Sequence, residues 1–438
     1  MASLRQRFGP ALYMGAGLAL VGAAGYGFVA LAGHTLPPAE AAAIASLYLM
    51  VNIIGPGIFS AMEQETSRSV SAELVAGRGF GPVLRHAWLL AAALLGAVLV
   101  VLLAVSAPLT GEVLAGRWGL FVAVALSVAT SAAVYVVRGL LGGTQRFTGY
   151  AATLGAEGVA RILPCVVIAV SGLPDAVWYA LFFAAGSGFG ALAGAFWLRR
   201  PAEPGTGADT LVTGPDTVAS AGRMARRLSF LVGGTVLMLV VMNVAPIVVT
   251  PRLGDQAATA AAFASAFVLA RIPLFLFAPV QAMLLPALTR AATRGEYGEV
   301  RAKLRLILLA VGAIGAPAVL ASFLVGPWAV QVLFGAEVRL SGAVVGLLGV
   351  STIGLMVGQV LQPGLIALGR HRSVTASWLA GAVVLVGLLA LPGDPIRAGV
   401  IAQLAGAALV VVIMVGTLSR ALGNHSVPAG APAGATAG

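Results

Sequence analysis

The chain has 438 residues, of which 59% are hydrophobic and 9% charged, with a formal net charge of +11. Soluble domains carry about 25% charged residues, so a chain this poor in charge cannot cover its own surface in water, and a soluble globular fold is excluded. The single cysteine, Cys165, excludes an intrachain disulfide framework and a cysteine-based zinc site. The four histidines (His34, His86, His371, His425) show no metal-ligand spacing, so neither a metal nor another cofactor is expected. In such a chain the basic excess marks cytoplasmic loops rather than a nucleic-acid surface.

Crossing a hydrocarbon core takes about 20 apolar residues, and twelve such runs follow one another. They lie near 11–33, 41–62, 84–107, 119–140, 149–171 and 175–198, then near 228–250, 257–288, 306–326, 341–368, 374–392 and 396–418. Unpaired backbone groups are costly in lipid, so each run is expected to be a helix. The expected fold is therefore an all-α integral membrane protein, with twelve transmembrane helices in two six-helix bundles spanning 1–198 and 228–421. Between them, 199–227 is rich in Pro, Gly, Asp and Thr, with arginines at both ends. It is expected to be a cytoplasmic linker. The small-residue segment 422–438 is expected to be a disordered tail.

With the N-terminus inside, twenty of the 26 Arg and Lys residues fall on cytoplasmic loops, four (Arg117, Arg252, Arg339, Arg397) fall outside and two (Arg161, Arg271) lie within spans. That split fits the positive-inside rule and predicts a multi-pass protein of the cytoplasmic membrane with both termini inside. Reading the N-terminus as a signal peptide cleaved after Ala30-Leu31-Ala32 is disfavoured, because the apolar run exceeds the length of a signal core. Two pairs of short matches, RGFGPVLR (78–85) with RGEYGEVR (294–301) and Gly139–Gly142 with Gly364–Ala367, occupy corresponding places in the two halves. They point to a six-plus-six duplication about an axis along the membrane normal.

HExxH, GxSxG and P-loop motifs are missing from the sequence, so a transporter is expected rather than an enzyme, and no residue is assigned a catalytic role. The candidate functional groups are the charges within spans, each of which costs about 2.5–3.5 kcal/mol on insertion scales and faces a cavity or a partner. Glu157 and Arg161 stand at i, i+4 on one face of the fifth span. They are either a self-neutralising pair pinning two helices, or lining groups of a central cavity in which Glu157 takes up a proton. Arg271 is the only charge between Asp255 and Arg290, roughly 24 Å from one end of that stretch and 28 Å from the other at about 1.5 Å per residue. Either carbonyls freed at Pro273 satisfy it, or it contacts an anion in the cavity. Glu63 and Glu65, after the second span, and Arg138, after the fourth, are expected near the inner surface, with Glu63 able to join a gate. Pro56, Pro164, Pro246, Pro273 and Pro363 are among the prolines expected to bend their helices. Gly186, Gly190 and Gly194 form a small-residue stripe suited to a close helix contact.

The twelve-helix pattern with a cytoplasmic connector resembles the multidrug/oligosaccharidyl-lipid/polysaccharide exporter superfamily. The resemblance is carried by Leu269-Ala270-Arg271-Ile272-Pro273, by Leu285-Pro286-Ala287-Leu288-Thr289-Arg290 with the amphipathic 295–305 segment, and by Gln362-Pro363-Gly364-Leu365-Ile366-Ala367-Leu368-Gly369-Arg370. The stretch Arg138-Gly139-Leu140-Leu141-Gly142-Gly143-Thr144-Gln145-Arg146-Phe147 is similar to its counterpart in polysaccharide-export members. The resemblance implies two bundles around a cavity that opens alternately inward and outward. It also implies that cavity arginines, Arg271 foremost and Arg161 after it, contact a lipid-linked diphosphate sugar. Cation-coupled drug exporters of the superfamily keep an acid in the first helix, and Ala11–Gly33 has none. Lipid II flippases typically add C-terminal helices beyond the twelve counted here.

The expected function is thus a polysaccharide-branch (Wzx-like) flippase that carries a lipid-linked oligosaccharide across the membrane for cell-surface polysaccharide assembly. A polysaccharide polymerase or glycosyltransferases would be its partners, together with membrane lipid and without nucleic acid. The substrate-site candidates are Arg271, Arg161, Glu157 and Arg138, and the proton or gate candidates are Glu157 and Glu63. A cation-coupled drug or metabolite antiporter, a lipid II flippase and a non-transporting membrane scaffold remain the alternatives.

Overall fold

The computed structural model describes residues 2–77, 79–199, 221–274 and 291–423 together with Leu284 and Leu288; within 2–12 and 221–231 it describes the backbone alone. Most of the expected linker (200–220), nearly all of the expected tail (424–438) and much of the eighth span lie outside the described residues.

Among the described residues there is no strand, and twelve helices are long and apolar enough to cross a membrane. The first half contains α1 (Ala2–Thr35), α2 (Pro38–Ile54), α3 (Ser60–Val75), α4 (Gly81–Ala104), α5 (Trp118–Gly143), α6 (Phe147–Val170) and α7 (Ala176–Leu198). A π-turn at Gly55–Phe59 joins α2 and α3 into one span. In the second half follow α8 (Ala221–Arg252), α9 (Ala257–Ala270), α10 (Tyr297–Leu324), α11 (Gly326–Phe334), α12 (Gly342–Ala367), α13 (His371–Leu389) and α14 (Pro395–Gly423). Each expected span has its helix. The short α11 is additional, and α10 takes in the charged residues that precede its apolar run.

Several helices continue past the point where the apolar run stops. The second span runs to Val75, so Glu63 and Glu65 stand on α3 instead of following the span. Likewise Arg138 lies inside α5, which continues to Gly143, and not beyond its end. The reason is that winding is set by backbone hydrogen bonding, which polar side chains at a helix end do not interrupt.

Helix ends are fixed by local chemistry. Asp175 caps α7, its carboxylate accepting from the amides of Val177 (2.9 Å) and Trp178 (3.1 Å). Ser341 caps α12 through the Val344 amide, and Pro38 and Pro82 occupy first-turn positions where no amide is needed. Arg117, preceding α5, ties three helix starts together by pairing with Glu40 and, at 2.9 Å, with Asp175. Desolvation works against its charge, but the two carboxylates outweigh it and hold the guanidinium above its ordinary pKa.

In the first half α6 packs against α1 and α7, and α5 against α3 and α7; in the second, α14 packs on α12 and α13, and α10 on α12. The halves meet along a seam where α2 lies against α8 and α9 while the π-turn and α3 follow α8. Gly57 sits on this seam, where a Cβ would lie 3.3 Å from Val236. At the end of the bundle that carries Arg117, α1 and α11 touch backbone to backbone. A Cβ on Gly33 would fall 1.9 Å from the Phe334 carbonyl oxygen, and one on Gly335, whose φ is +64°, would fall 2.5 Å from the Gly33 oxygen. No other residue type fits either position.

Gly33→Val is therefore expected to force the two halves apart at this end, at an overpacking cost of about 1–3 kcal/mol. In a Cys165→Ser background, spin labels at Thr35→Cys and Val332→Cys should shift to longer distances when Gly33→Val is added. An unchanged distance distribution would show that this contact does not hold the end closed.

Candidate functional site: an arginine-lined cavity between the halves

Between α1, α2, α5, α6 and α7 on one side and α8 and α9 on the other lies a cavity of about 340 Å³. Its wall is largely apolar, with Leu18, Val21, Leu49, Leu239 and Val268 among its residues. The polar exceptions include Tyr26, Tyr48, Asn52, Tyr135 and Asn243, together with every charge expected inside a span: Glu157, Arg161 and Arg271. Arg138 joins them. Four of the five candidate side chains thus share one interior space. Glu63, the fifth, is connected to that group through Tyr150, whose hydroxyl donates to the Glu63 carboxylate at 2.6 Å.

The first half builds its part of the wall around one carboxylate. Glu157 is 3% exposed, and both its oxygens are taken. Oε2 accepts from Arg138 Nη2, while Oε1 forms an ion pair with Arg161 Nη2 at 2.6 Å and accepts from Ser187 Oγ at 2.8 Å. Arg161 Nη2 also donates to Ser187 Oγ at 2.9 Å. Arg138 Nε donates to Thr153 Oγ1 at 2.9 Å, and its guanidinium lies 5.8 Å from the ring centres of both Tyr135 and Tyr150. Arg161 stacks on Phe183, 4.6 Å from its ring centre. Glu157 and Arg161 therefore form the expected i, i+4 pair, and both also line the cavity.

The glycine stripe of α7 explains why these side chains fit. A Cβ on Gly186 would lie 2.3 Å from Arg161 Cγ, one on Gly190 would lie 2.9 Å from the Thr153 carbonyl oxygen and 3.2 Å from Glu157 Cβ, and one on Gly194 would lie 2.4 Å from Val137 Cγ1. The stripe is the close contact its spacing predicts, and it is also the slot in which Glu157 and Arg161 are seated.

Arg271 stands alone in the second half. It immediately follows α9 and is 5% exposed. Nε donates to the Met242 carbonyl at 3.1 Å, Nη1 donates to Thr352 Oγ1 at 2.8 Å, and the guanidinium lies 4.3 Å from the Phe267 ring centre. Met242 lies four residues before Pro246, which is inside α8; proline has no amide to donate, so the carbonyl four residues back is left open. Carbonyl satisfaction is thus the device that holds Arg271, but the proline responsible is Pro246 on a neighbouring helix, and not Pro273. Three of its five donor hydrogens remain, one on Nη1 and two on Nη2. Among the described residues Nη2 of Arg271 has no hydrogen-bond partner, and no carboxylate is paired with it.

Around the cavity there are three guanidiniums to one carboxylate, a stronger positive balance than the two to one read from the spans alone. Sequence reasoning passed over Ser187, Thr352, Tyr135 and Tyr150. A phenol or hydroxyl inside an apolar run carries no period of its own, and the only signal available was their polarity within the run.

No family model matches the chain. An uncharacterized protein of Mycobacterium tuberculosis is 28% identical over 418 residues, covering 93% of this chain and 91% of that protein. A Mycobacterium bovis protein, also uncharacterized, is 26% identical over 389 residues, covering 86% and 84%. Among solved structures, the inward-facing conformation of a multidrug resistance MATE family transporter of the MOP superfamily aligns with a TM-score of 0.71 at 14% identity, over 94% of this chain and 96% of that one. The outward-facing conformation of such a transporter gives 0.65 at 14% identity, over 95% and 96%. The lipid II flippase MurJ in its inward closed conformation gives 0.59 at 10% identity, over 95% and 90%. At these identities the likeness is one of fold: this chain is a multi-pass membrane protein with the fold of MATE transporters and has twelve candidate spans among the described residues.

Proposed function

We propose that this protein is a membrane flippase whose cavity takes the anionic head group of a polyprenyl-diphosphate-linked saccharide and moves it from the inner to the outer leaflet for cell-surface polysaccharide assembly. The observation that carries this reading is Arg271, a buried cation at a cavity wall whose Nη2 has no hydrogen-bond partner and which has no carboxylate partner among the described residues. Leaving such a group unmatched costs several kcal/mol, and a bidentate anion is the ligand that best relieves it. Diphosphate oxygens are of that kind. The excess of arginines over acids at the same wall favours an anion over a cationic drug. The higher likeness to an inward-facing than to an outward-facing relative of this fold, with the Arg117 end sealed by Gly33 and Phe334, supports a cavity reached from the inner leaflet. In this reading both termini are cytoplasmic, the lipid tail stays in the bilayer, and polysaccharide-assembling enzymes supply and consume the cargo.

A second reading, a cation-coupled antiporter, draws on Glu63. Unlike Glu157, whose oxygens are fully engaged by two guanidiniums and a hydroxyl, Glu63 is only partly buried and is bonded by a neutral phenol. It is the acid better placed to exchange a proton, whether the driven cargo is a drug or a saccharide lipid. A drug-efflux panel separates the two cargoes: raised susceptibility on deleting the gene, with surface polysaccharide intact, would favour the antiporter.

The Arg271→Gln variant keeps one donor for the Met242 carbonyl and removes the charge. Uptake of a fluorescent polyprenyl-diphosphate sugar into the protected leaflet of proteoliposomes should fall about ten- to hundredfold, in keeping with the loss of a charged hydrogen bond. Arg271→Lys should not rescue it, because a point charge does not reproduce the guanidinium fork. Full activity in Arg271→Gln, at equal reconstitution, would end the proposal.

Gly186→Val tests the seating of Arg161 without touching any charge. It should overpack the α6–α7 contact by about 1–3 kcal/mol and lower translocation as much as Arg161→Gln does. By contrast Gly155→Ala, on α6 with open space where its Cβ would go, should leave transport unchanged. Wild-type transport in Gly186→Val would show that Arg161 need not occupy this position.

A further inference from the structure

Away from the central cavity, a second recess of about 330 Å³ opens on the flank of the second half, between α10 and α14. Arg301 and Arg305 stand on it, and Leu304, Leu308, Leu309, Leu418 and Leu422 make up the rest of its wall. The helical period sets this order. Tyr297 begins α10, so Arg301 lies about one turn in, Arg305 about 6 Å further along the same face, and Leu308 and Leu309 one turn beyond that. From the other side, α14 runs to Gly423 and contributes Leu418 and Leu422 from its last turns. The recess therefore grades from two guanidiniums at the helix ends to hydrocarbon toward the middle of the span.

Three observations define the occupant. First, the adjoining surface of α10 faces lipid: Leu306 is 68% and Leu309 62% exposed, and Ile314, Leu320 and Leu324 are exposed further along. Second, both arginines are exposed, and among the described residues neither forms an ion pair. The nearby Glu299 is occupied by Lys303 at 2.6 Å, so the site has positive charge without its own counter-charge, and the N-terminus of α10 adds to it. Third, the segment 424–438 has no acidic residue and one large apolar side chain, Val427, and so that segment offers neither half of what the recess asks for.

We infer that this recess binds an anionic diacyl phospholipid, with its phosphodiester on Arg301 and Arg305 and an acyl chain along Leu304, Leu308 and Leu418. Two forked guanidiniums match phosphate oxygens, and a basic pocket between spanning helices at the cytoplasmic face is a chemistry suited to acidic head groups. The site is separate from the central cavity and does not depend on which cargo that cavity carries.

The test is native mass spectrometry of the full chain in detergent, titrated with phosphatidylglycerol or phosphatidylcholine. Wild-type protein should retain phosphatidylglycerol in preference to phosphatidylcholine, and the double variant Arg301→Gln/Arg305→Gln should lose that preference by roughly tenfold or more. A control, Arg370→Gln/Arg372→Gln, removes two exposed charges elsewhere and should keep it. Thermal melting of both variants checks that they are folded. The inference is overturned if the wild type shows no preference, if both double variants lose it equally, or if the chain-free head group glycerophosphoglycerol competes as well as the intact lipid; the last result would mean an anion site without a lipid groove.

Discussion

A guanidinium removed from water must be met by negative potential, and the arrangement of this cavity follows from how that demand is satisfied on each side. The desolvation penalty per buried ion is several kcal/mol after relaxation, which no amount of apolar packing around the charge returns. In the first half the answer is a carboxylate: Glu157 is shared by Arg138 and Arg161, with Ser187 completing its coordination. In the second half it is a backbone dipole, the Met242 carbonyl, helped by a hydroxyl and the face of Phe267. A carbonyl supplies only a partial charge, so the two sides are unequal. Glu157 offsets one of the two charges of Arg138 and Arg161 within their own half, and Arg271 has no carboxylate partner among the described residues.

The carbonyl is there because a proline withholds an amide. Pro246 leaves Met242 open on α8, and on the facing seam Pro56, within the π-turn, removes the donor that would serve the Asn52 carbonyl in a regular α-helix. Met242 and Asn52 both line the cavity. Each half has thus interrupted the helix it contributes to the seam, at the level of the cavity, by the same means. In lipid, such interruptions are tolerated where the freed backbone groups line a polar space or find a partner, and the wall between α2 and α8 is that place. The neighbouring Val241 carbonyl is bonded by Gln403 at 2.9 Å, so α14 braces α8 beside the proline.

How much of this could be read beforehand depended on whether the signal was local. The spans were legible, because twenty apolar residues in a row have few other uses, and so was the i, i+4 relation of Glu157 and Arg161. Arg138, a cavity candidate, was expected just past the inner end of its span because an apolar run ends where charge begins, whereas the helix continues to Gly143. For Arg271, nearness in sequence pointed to Pro273, but the carbonyl of that proline's i−4 residue belongs to the same helix, and the guanidinium instead crosses to α8. Partners that lie 29 and 81 residues away, Met242 and Thr352, are set by tertiary packing and leave no trace in local pattern. The stripe of Gly186, Gly190 and Gly194 was visible as a contact; that it seats an arginine and a glutamate was not, since spacing says how close two helices come and nothing about what lies between them.

Counting formal charges at the cavity gives each half one net positive, two arginines against Glu157 on one side and Arg271 on the other. Bringing the halves together at this level therefore costs Coulomb energy when the cavity is empty, and the low-dielectric wall strengthens that repulsion. A diphosphate lying between them reverses the sign, because it attracts both halves at once, and its binding energy then depends on how close they come. A ligand shifts a conformational equilibrium only through its differential affinity for the two states, and a bridging anion has such a difference by construction. A neutral or cationic molecule of the same size would leave the repulsion in place. On the proposed reading, charge selectivity and the coupling of cargo to movement are thus one property, and it rests on Arg271 having no carboxylate partner among the described residues: an acid placed beside it would neutralise the second half and remove the reason for the halves to close on a cargo.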